Sequence, residues 1–198
     1  MEKKTLPELL AAELKPEAVK QRPVRLCFQD EARFGRMVRF RRCWAPPPLR
    51  PKVDNGYQRQ YTYVYGSVCP CDGQTQSRVT DKMNTQEMGG FVQQVSEAYP
   101  NEFIVMIVDG ASSHRSKELQ LPENIRLIRL PPYSPELNPQ EHVWDDLREK
   151  AFPNRVCDDM DEVVCRLKDE LERMATEPAR LQSLTGWPWI ISLNLNVN

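Results

Sequence analysis

A chain of 198 residues, 40% hydrophobic and 28% charged, can bury a sizeable core and is expected to form one domain with a small appendage. No apolar run approaches the roughly 18 to 20 residues needed to cross a bilayer, and the charged opening MEKKTLPELLAAELKPEAVK has no cleavable apolar region, so a cytoplasmic protein without membrane contact is expected. The net charge of −1 does not by itself point to nucleic acid, but the charge is unevenly spread.

In chain order, a helix is predicted over residues 6–20, then a strand over 24–29 that ends at Asp30 and Glu31. A second strand is predicted over 34–40, followed by the loop APPPLRP, whose prolines remove ladder donors. The alternation Tyr61, Tyr63, Tyr65 predicts a strand over 61–68, with the tyrosines as one packed sheet face. It turns through CPCDG into a strand over 74–80. Asn84 followed by Glu87 is a helix start in which the side-chain oxygen accepts a backbone N–H, so a helix should run to about residue 99.

The stretch FIVMIVDGASSH reads as a fully buried strand, 103–108, that runs into Asp109. A short helix over 116–119 and a strand over 125–130 follow. In LPPYSPELNPQEHVWDDLREKAF four prolines impose an extended loop until Pro139 can occupy the first turn of a helix ending near residue 152. A last amphipathic helix, 160–174, carries Val163, Val164, Leu167, Leu171 and Met174 on one face. This order predicts an α/β mixed sheet flanked by helices rather than a repeated strand–helix–strand array. The expected divisions are an N-terminal helical extension (1–22), a catalytic domain (23–155), and a C-terminal helix and tail (156–198) packed on that same domain.

Six cysteines stand at positions 27, 43, 69, 71, 157 and 165, without a CxxC pair or a spaced histidine partner, so thiols in a reducing compartment are expected. From Arg33 to Lys52 there are seven basic residues (Arg33, Arg36, Arg39, Arg41, Arg42, Arg50, Lys52) and no acidic one, interleaved with Phe34, Phe40 and Trp44. Such a stretch suits a phosphate backbone, where neutralised phosphates release counterions, and equally suits a solvated edge whose arginines deter strand pairing.

Three carboxylates occupy special places: Asp30 and Asp109 at strand ends and Glu141 in the first turn of the helix after the proline loop. If the two strands are parallel neighbours, the aspartates emerge side by side, and a helix packed across that edge brings Glu141 alongside. Three clustered carboxylates repel one another unless a cation neutralises them, and hard oxygen ligands fit Mg2+ or Mn2+, commonly two ions serving a phosphodiester displacement. Against this, Asp109 could cap the following helix and Glu141 could answer the helix dipole. Glu31 would point to the opposite face. His114 reads either as a group near the scissile phosphate or as a structural residue; His142 and Trp144 read as helix packing.

FQDEARFG, IVDGASSHRS and above all LPPYSPELNPQEHVWDDLR resemble the catalytic domain of the DDE transposases, specifically the bacterial insertion-sequence group related to mariner elements. The resemblance runs from about residue 24 to 152, with Trp44 and the closing LTGWPW in the same style. It implies an RNase H-like fold, a site of Asp30, Asp109 and Glu141 holding two Mg2+ or Mn2+ ions, and His114 and Asn138 around it. It further implies cleavage at transposon ends and transfer of the freed 3′-hydroxyl into target DNA, with Arg33, Arg36, Arg39, Arg41, Arg42 and Trp44 on the DNA. Dimeric action is expected because two element ends must be joined, as is a nucleoid-associated location.

Two departures stand out. Residues 110–140, thirty-one in all, separate Asp109 from Glu141, fewer than is usual in the family. Only about twenty residues precede the first strand, which implies a separate DNA-recognition polypeptide, a truncated copy or a fragment. The alternatives are an inactive DNA-binding remnant without its helix-turn-helix domain, or a related RNase H-like nuclease.

Overall fold

The computed structural model describes residues 10, 22–36, 42, 44–52, 58–109, 119–130, 134–154 and 156–193. Of the sequence expectations, most of the N-terminal helix, residues 116–118 of the expected short helix, His114, Arg39, Arg41 and Cys43 lie outside the described residues, and Leu119 is not helical.

Five strands, β1 (Val24–Gly35), β2 (Tyr61–Val68), β3 (Thr75–Thr80), β4 (Phe103–Val108) and β5 (Ile125–Arg129), form one mixed sheet in the order β3-β2-β1-β4-β5. The β3-β2-β1 half is antiparallel and the β1-β4-β5 half is parallel. This differs from the expectation at one important place: β1 does not end at Gln29 but continues through Asp30 and Glu31 to Gly35. Residues 34 and 35, expected to open a second strand over 34–40, therefore belong to β1, and 37–40 lie outside the described residues. An apolar-run reading stops at a pair of charges, whereas the backbone only changes partner there. Residues 24–28 pair with β4 and residues 28–35 pair with β2, so the ladder stays filled. Asp30 therefore stands within a strand, just beyond the end of its pairing with β4.

Helix α1 (Thr85–Ala98) covers one face of the sheet. Its start is as the sequence implied, with the Asn84 side chain accepting from the Glu87 N–H at 2.9 Å. Asn84→Ala is expected to lower stability by about 1 kcal/mol, read as a shift in the urea midpoint at constant slope. Met88, Phe91, Val92 and Val95 pack on Cys27, Tyr65, Ile104, Met106 and Val108. Tyr65 is buried and stacks on Phe91 at 5.9 Å, which confirms it as a core residue.

The opposite face is covered by α2 (Gln140–Ala151), α3 (Met160–Ala175), α4 (Pro178–Thr185) and α5 (Pro188–Ile191). Their apolar faces meet the other set of alternating strand residues, among them Leu26, Phe28, Ala32, Phe34, Val64, Val68, Val105 and Ile107. Leu10 joins this cluster. The short helices α4 and α5, each opened by a proline, were not expected; eight and four residues are too few to show periodicity. A 3-10 turn, Pro135–Leu137, interrupts the loop that was expected to be extended. No disulfide joins Cys27, Cys69, Cys71, Cys157 and Cys165. Among the described residues no helix is long and apolar enough to cross a membrane.

Candidate active site

Strand parity and register place the aspartates. Phe28 lies level with Ile107 on the neighbouring parallel strand, and Asp30 and Asp109 each follow two residues beyond that last pair. Even-numbered β1 residues Leu26, Phe28, Ala32 and Phe34 and odd-numbered β4 residues Phe103, Val105 and Ile107 all belong to the core beneath α2. Asp30 shares that parity and meets α2 through Trp144, whereas Asp109 directly follows β4, on the strand next to β1, about 4.8 Å away. Glu31 has the opposite parity and lies level with Tyr65 on the α1 side.

Glu141 arrives from α2, whose N-terminus is tied to the same strand. Asn138, 3% exposed, donates its Nδ2–H to the Gln29 carbonyl at 3.1 Å and accepts the Gln140 N–H on Oδ1 at 3.1 Å. One side chain thus joins the backbone beside Asp30 to the turn that carries Glu141. Its sequence assignment as an outer residue of the site acquires a definite meaning: it sets the distance between strand and helix.

The electrostatics agree with this grouping. Burial pushes the Asp30 carboxyl from 3.8 up to about 7, and the negative charges of Glu141, Glu31 and Asp109 push the same way, against a backbone hydrogen bond at Glu31. Asp30 thus feels both other carboxylates. Among the described residues no three His, Cys, Asp or Glu side chains close into a cage that could hold a metal; mutual repulsion opposes such closure. The donor chemistry nevertheless fits a hard divalent cation: the Asp30 carboxylate carries an unfavourable charge, raised by Glu141 and Asp109, that a cation would relieve.

Sequence reasoning placed Trp144 among packing residues, and that reading is incomplete. Its indole is 1% exposed and packs edge-on against Phe34 at 6.3 Å, but its Nε1–H also donates to Asp30 Oδ2 at 3.0 Å. Two signals for this were present. Trp144 follows Glu141 by three positions, which puts both on one helix face, and Gly66 interrupts the apolar β2 pattern, a mark of close approach. A Cβ on Gly66, the residue opposite Asp30, would lie 2.7 Å from Trp144 Cζ2, nearer still to Cη2, and 2.8 Å from Gln140 Nε2.

The basic stretch divides. Arg33 is exposed and lies over the Tyr61 ring at 4.3 Å. Arg36 is turned inward, donating to the Cys157 carbonyl at 3.1 Å and to Gln60 Oε1 at 3.3 Å. Phe34 is core rather than a surface aromatic, with Arg148 above its ring. Arg42 is exposed, and Trp44 is fully so. His142, expected to pack within its helix, is exposed and meets Trp187 edge-on at 5.2 Å.

Several known proteins resemble the chain. The uncharacterized protein y4pE/y4sA of Sinorhizobium fredii is 31% identical over 130 residues, which are 65% of this chain and 96% of that protein. Among solved structures, the pre-cleavage Mos1 transpososome superposes with a TM-score of 0.58 at 13% identity, covering 96% of this chain and 60% of that one. The Mos1 transposase paired-end complex with left transposon end gives 0.56 at 14% identity, over 89% and 57%. The Mos1 mariner paired-end complex with Mn gives 0.57 at 14% identity, over 88% and 56%. The chain thus spans less than two thirds of the Mos1 chains, and at these identities the likeness establishes the RNase H-like fold. The DDE superfamily endonuclease profile matches residues 25–164, and the chain belongs to that family.

Proposed function

We propose that the chain is the catalytic part of a DNA transposase, in which Asp30, Asp109 and Glu141 hold two Mg2+ or Mn2+ ions and direct cleavage at transposon ends followed by strand transfer of the 3′-hydroxyl into target DNA. What supports this reading is the parallel pairing of β1 with β4, which ends two residues short of Asp30 and Asp109, beside the helix whose first turn bears Glu141. Bound divalent ions would supply activation of the attacking oxygen and stabilisation of the leaving one. The chain's part is positional. Two strands fix the aspartates in a rigid sheet, and the Asn138 bridge fixes the helix that brings Glu141.

Residues 23–155 constitute the catalytic unit in this reading, and the helices that follow it complete the cover of the same sheet face. Arg33, Arg42 and Trp44 are presented for a DNA backbone and bases; Arg39, Arg41 and His114 complete the proposed DNA and site contacts, whereas Arg36 is engaged within the protein by the Cys157 carbonyl and Gln60. Pairing of two element ends calls for a homodimer, and recognition of their sequence calls for a further DNA-binding polypeptide or domain. Action on DNA places the protein at the nucleoid.

The test is a nicking assay on a labelled DNA end with Mn2+, comparing the chain with Asp109→Asn. Cleavage that requires the metal and disappears in the variant is expected. Cleavage by both proteins without metal, or by neither with it, would sink the enzymatic reading.

A further inference from the structure

We propose that Trp144 is a positioning residue for Asp30: its indole N–H holds one carboxylate oxygen in place and leaves the other for a metal ion. The inference rests on the reading of Asp30 as a metal ligand and adds a residue to it. The hydrogen bond at 3.0 Å is made by a group that can only donate, and the acceptor is the Asp30 Oδ2 oxygen. The ring itself cannot turn away. It is buried, its edge contact with Phe34 fixes it on one side, and the backbone surface left by Gly66 receives it on the other.

The geometry makes the glycine part of the device. Gly66 lies directly across from Asp30 in the antiparallel register, so the indole lies against β2 where no side chain stands and reaches the carboxylate over it. A packing role alone would be met by any flat apolar ring. The N–H instead gives Asp30 a fixed partner, which reduces the rotamer freedom that would otherwise be lost on binding a cation. Glu141, three residues earlier on the same helix, moves with Trp144. One helix therefore delivers a carboxylate to the site and steadies another.

The test measures Mn2+ binding to the full chain by calorimetry. Trp144→Phe keeps an aromatic ring and removes the donor, and its dissociation constant should rise about tenfold. Leu147→Ala, which opens the same helix–sheet interface away from Asp30, should leave the constant unchanged. In the wild-type protein the Trp144 indole N–H resonance should move as Mg2+ is added and reach saturation, a readout that does not depend on how well any variant folds. Binding that Asp109→Asn abolishes but Trp144→Phe leaves intact, or an indole resonance that does not move, overturns the positioning role alone. Absence of Mn2+ binding by the wild-type chain, or binding that survives Asp109→Asn, overturns the metal reading and this inference with it.

Discussion

Asp30→Asn is expected to lower metal-dependent DNA cleavage on the order of a thousandfold while making the metal-free protein more stable at pH 8. The two effects have one cause. Folding carries Asp30 from water into a place where burial and neighbouring negative charges raise its pKa from 3.8 to about 7. Below 3.8 both folded and unfolded chains hold the proton, and the group contributes nothing to the difference. Between 3.8 and 7 the unfolded chain has lost the proton and the folded one keeps it, so stability falls as pH rises, and above 7 the penalty is complete. At pH 8 the penalty is on the order of 2 to 4 kcal/mol.

Asparagine removes the charge and can still accept the Trp144 N–H, so the variant should melt higher than wild type at pH 8 and nearly level with it at pH 4. Adding Mg2+ should raise the wild-type melting temperature and leave that of Asp30→Asn almost unmoved. Equal melting of the two metal-free proteins at pH 8 would show that the repulsion is relieved by other groups. The result, if as expected, would identify a carboxylate retained at a loss of stability, as sites that await a cation often require.

Gly66→Ala should lower stability by about 3 kcal/mol and remove most activity, although the substitution adds one methyl group. A helix-exposed glycine replaced by alanine normally gains stability. Here the new Cβ would stand within contact-forbidden range of the Trp144 ring and of Gln140 Nε2, both on α2. Neither is the loose end of a surface chain: Trp144 is enclosed by Phe34, and Gln140 is buried at the helix start. The clash is relieved by lifting the N-terminal turn of α2, which withdraws Glu141 and breaks the hydrogen bond to Asp30 together. Thermal unfolding measures the first effect and cleavage the second; a variant as stable as wild type would mean that the helix yields without strain.

Much of this architecture was legible in the chain before any coordinates. The all-apolar run ending at Asp109, the tyrosine alternation in β2, the Asn84 cap and the periodicity of the helix from Met160 each express a local rule whose period or hydrogen bond is written within a few residues. The candidate carboxylates were legible because charged residues beside buried strands and at a helix start are few. The length of β1 was not, because continuation through Asp30 and Glu31 depends on a second strand offering its ladder from residue 61 onward.

What the sequence by itself determined is most of the longer elements, among them β2, β4 and the helices from Thr85 and Met160, and the identity of Asp30, Asp109 and Glu141 as candidates, since these patterns are local in the chain. Only the tertiary structure decided that β1 runs parallel to β4 with Phe28 against Ile107, that Asn138 spans 109 residues of sequence to reach the Gln29 carbonyl, and that Trp144 spans 114 to reach Asp30. Those are facts of register and of helix placement, set by which strands pair and which faces pack. No local pattern carries them, and Gly66 shows why: it is a weak residue in its own strand, and its use is the room it leaves for a tryptophan from another element.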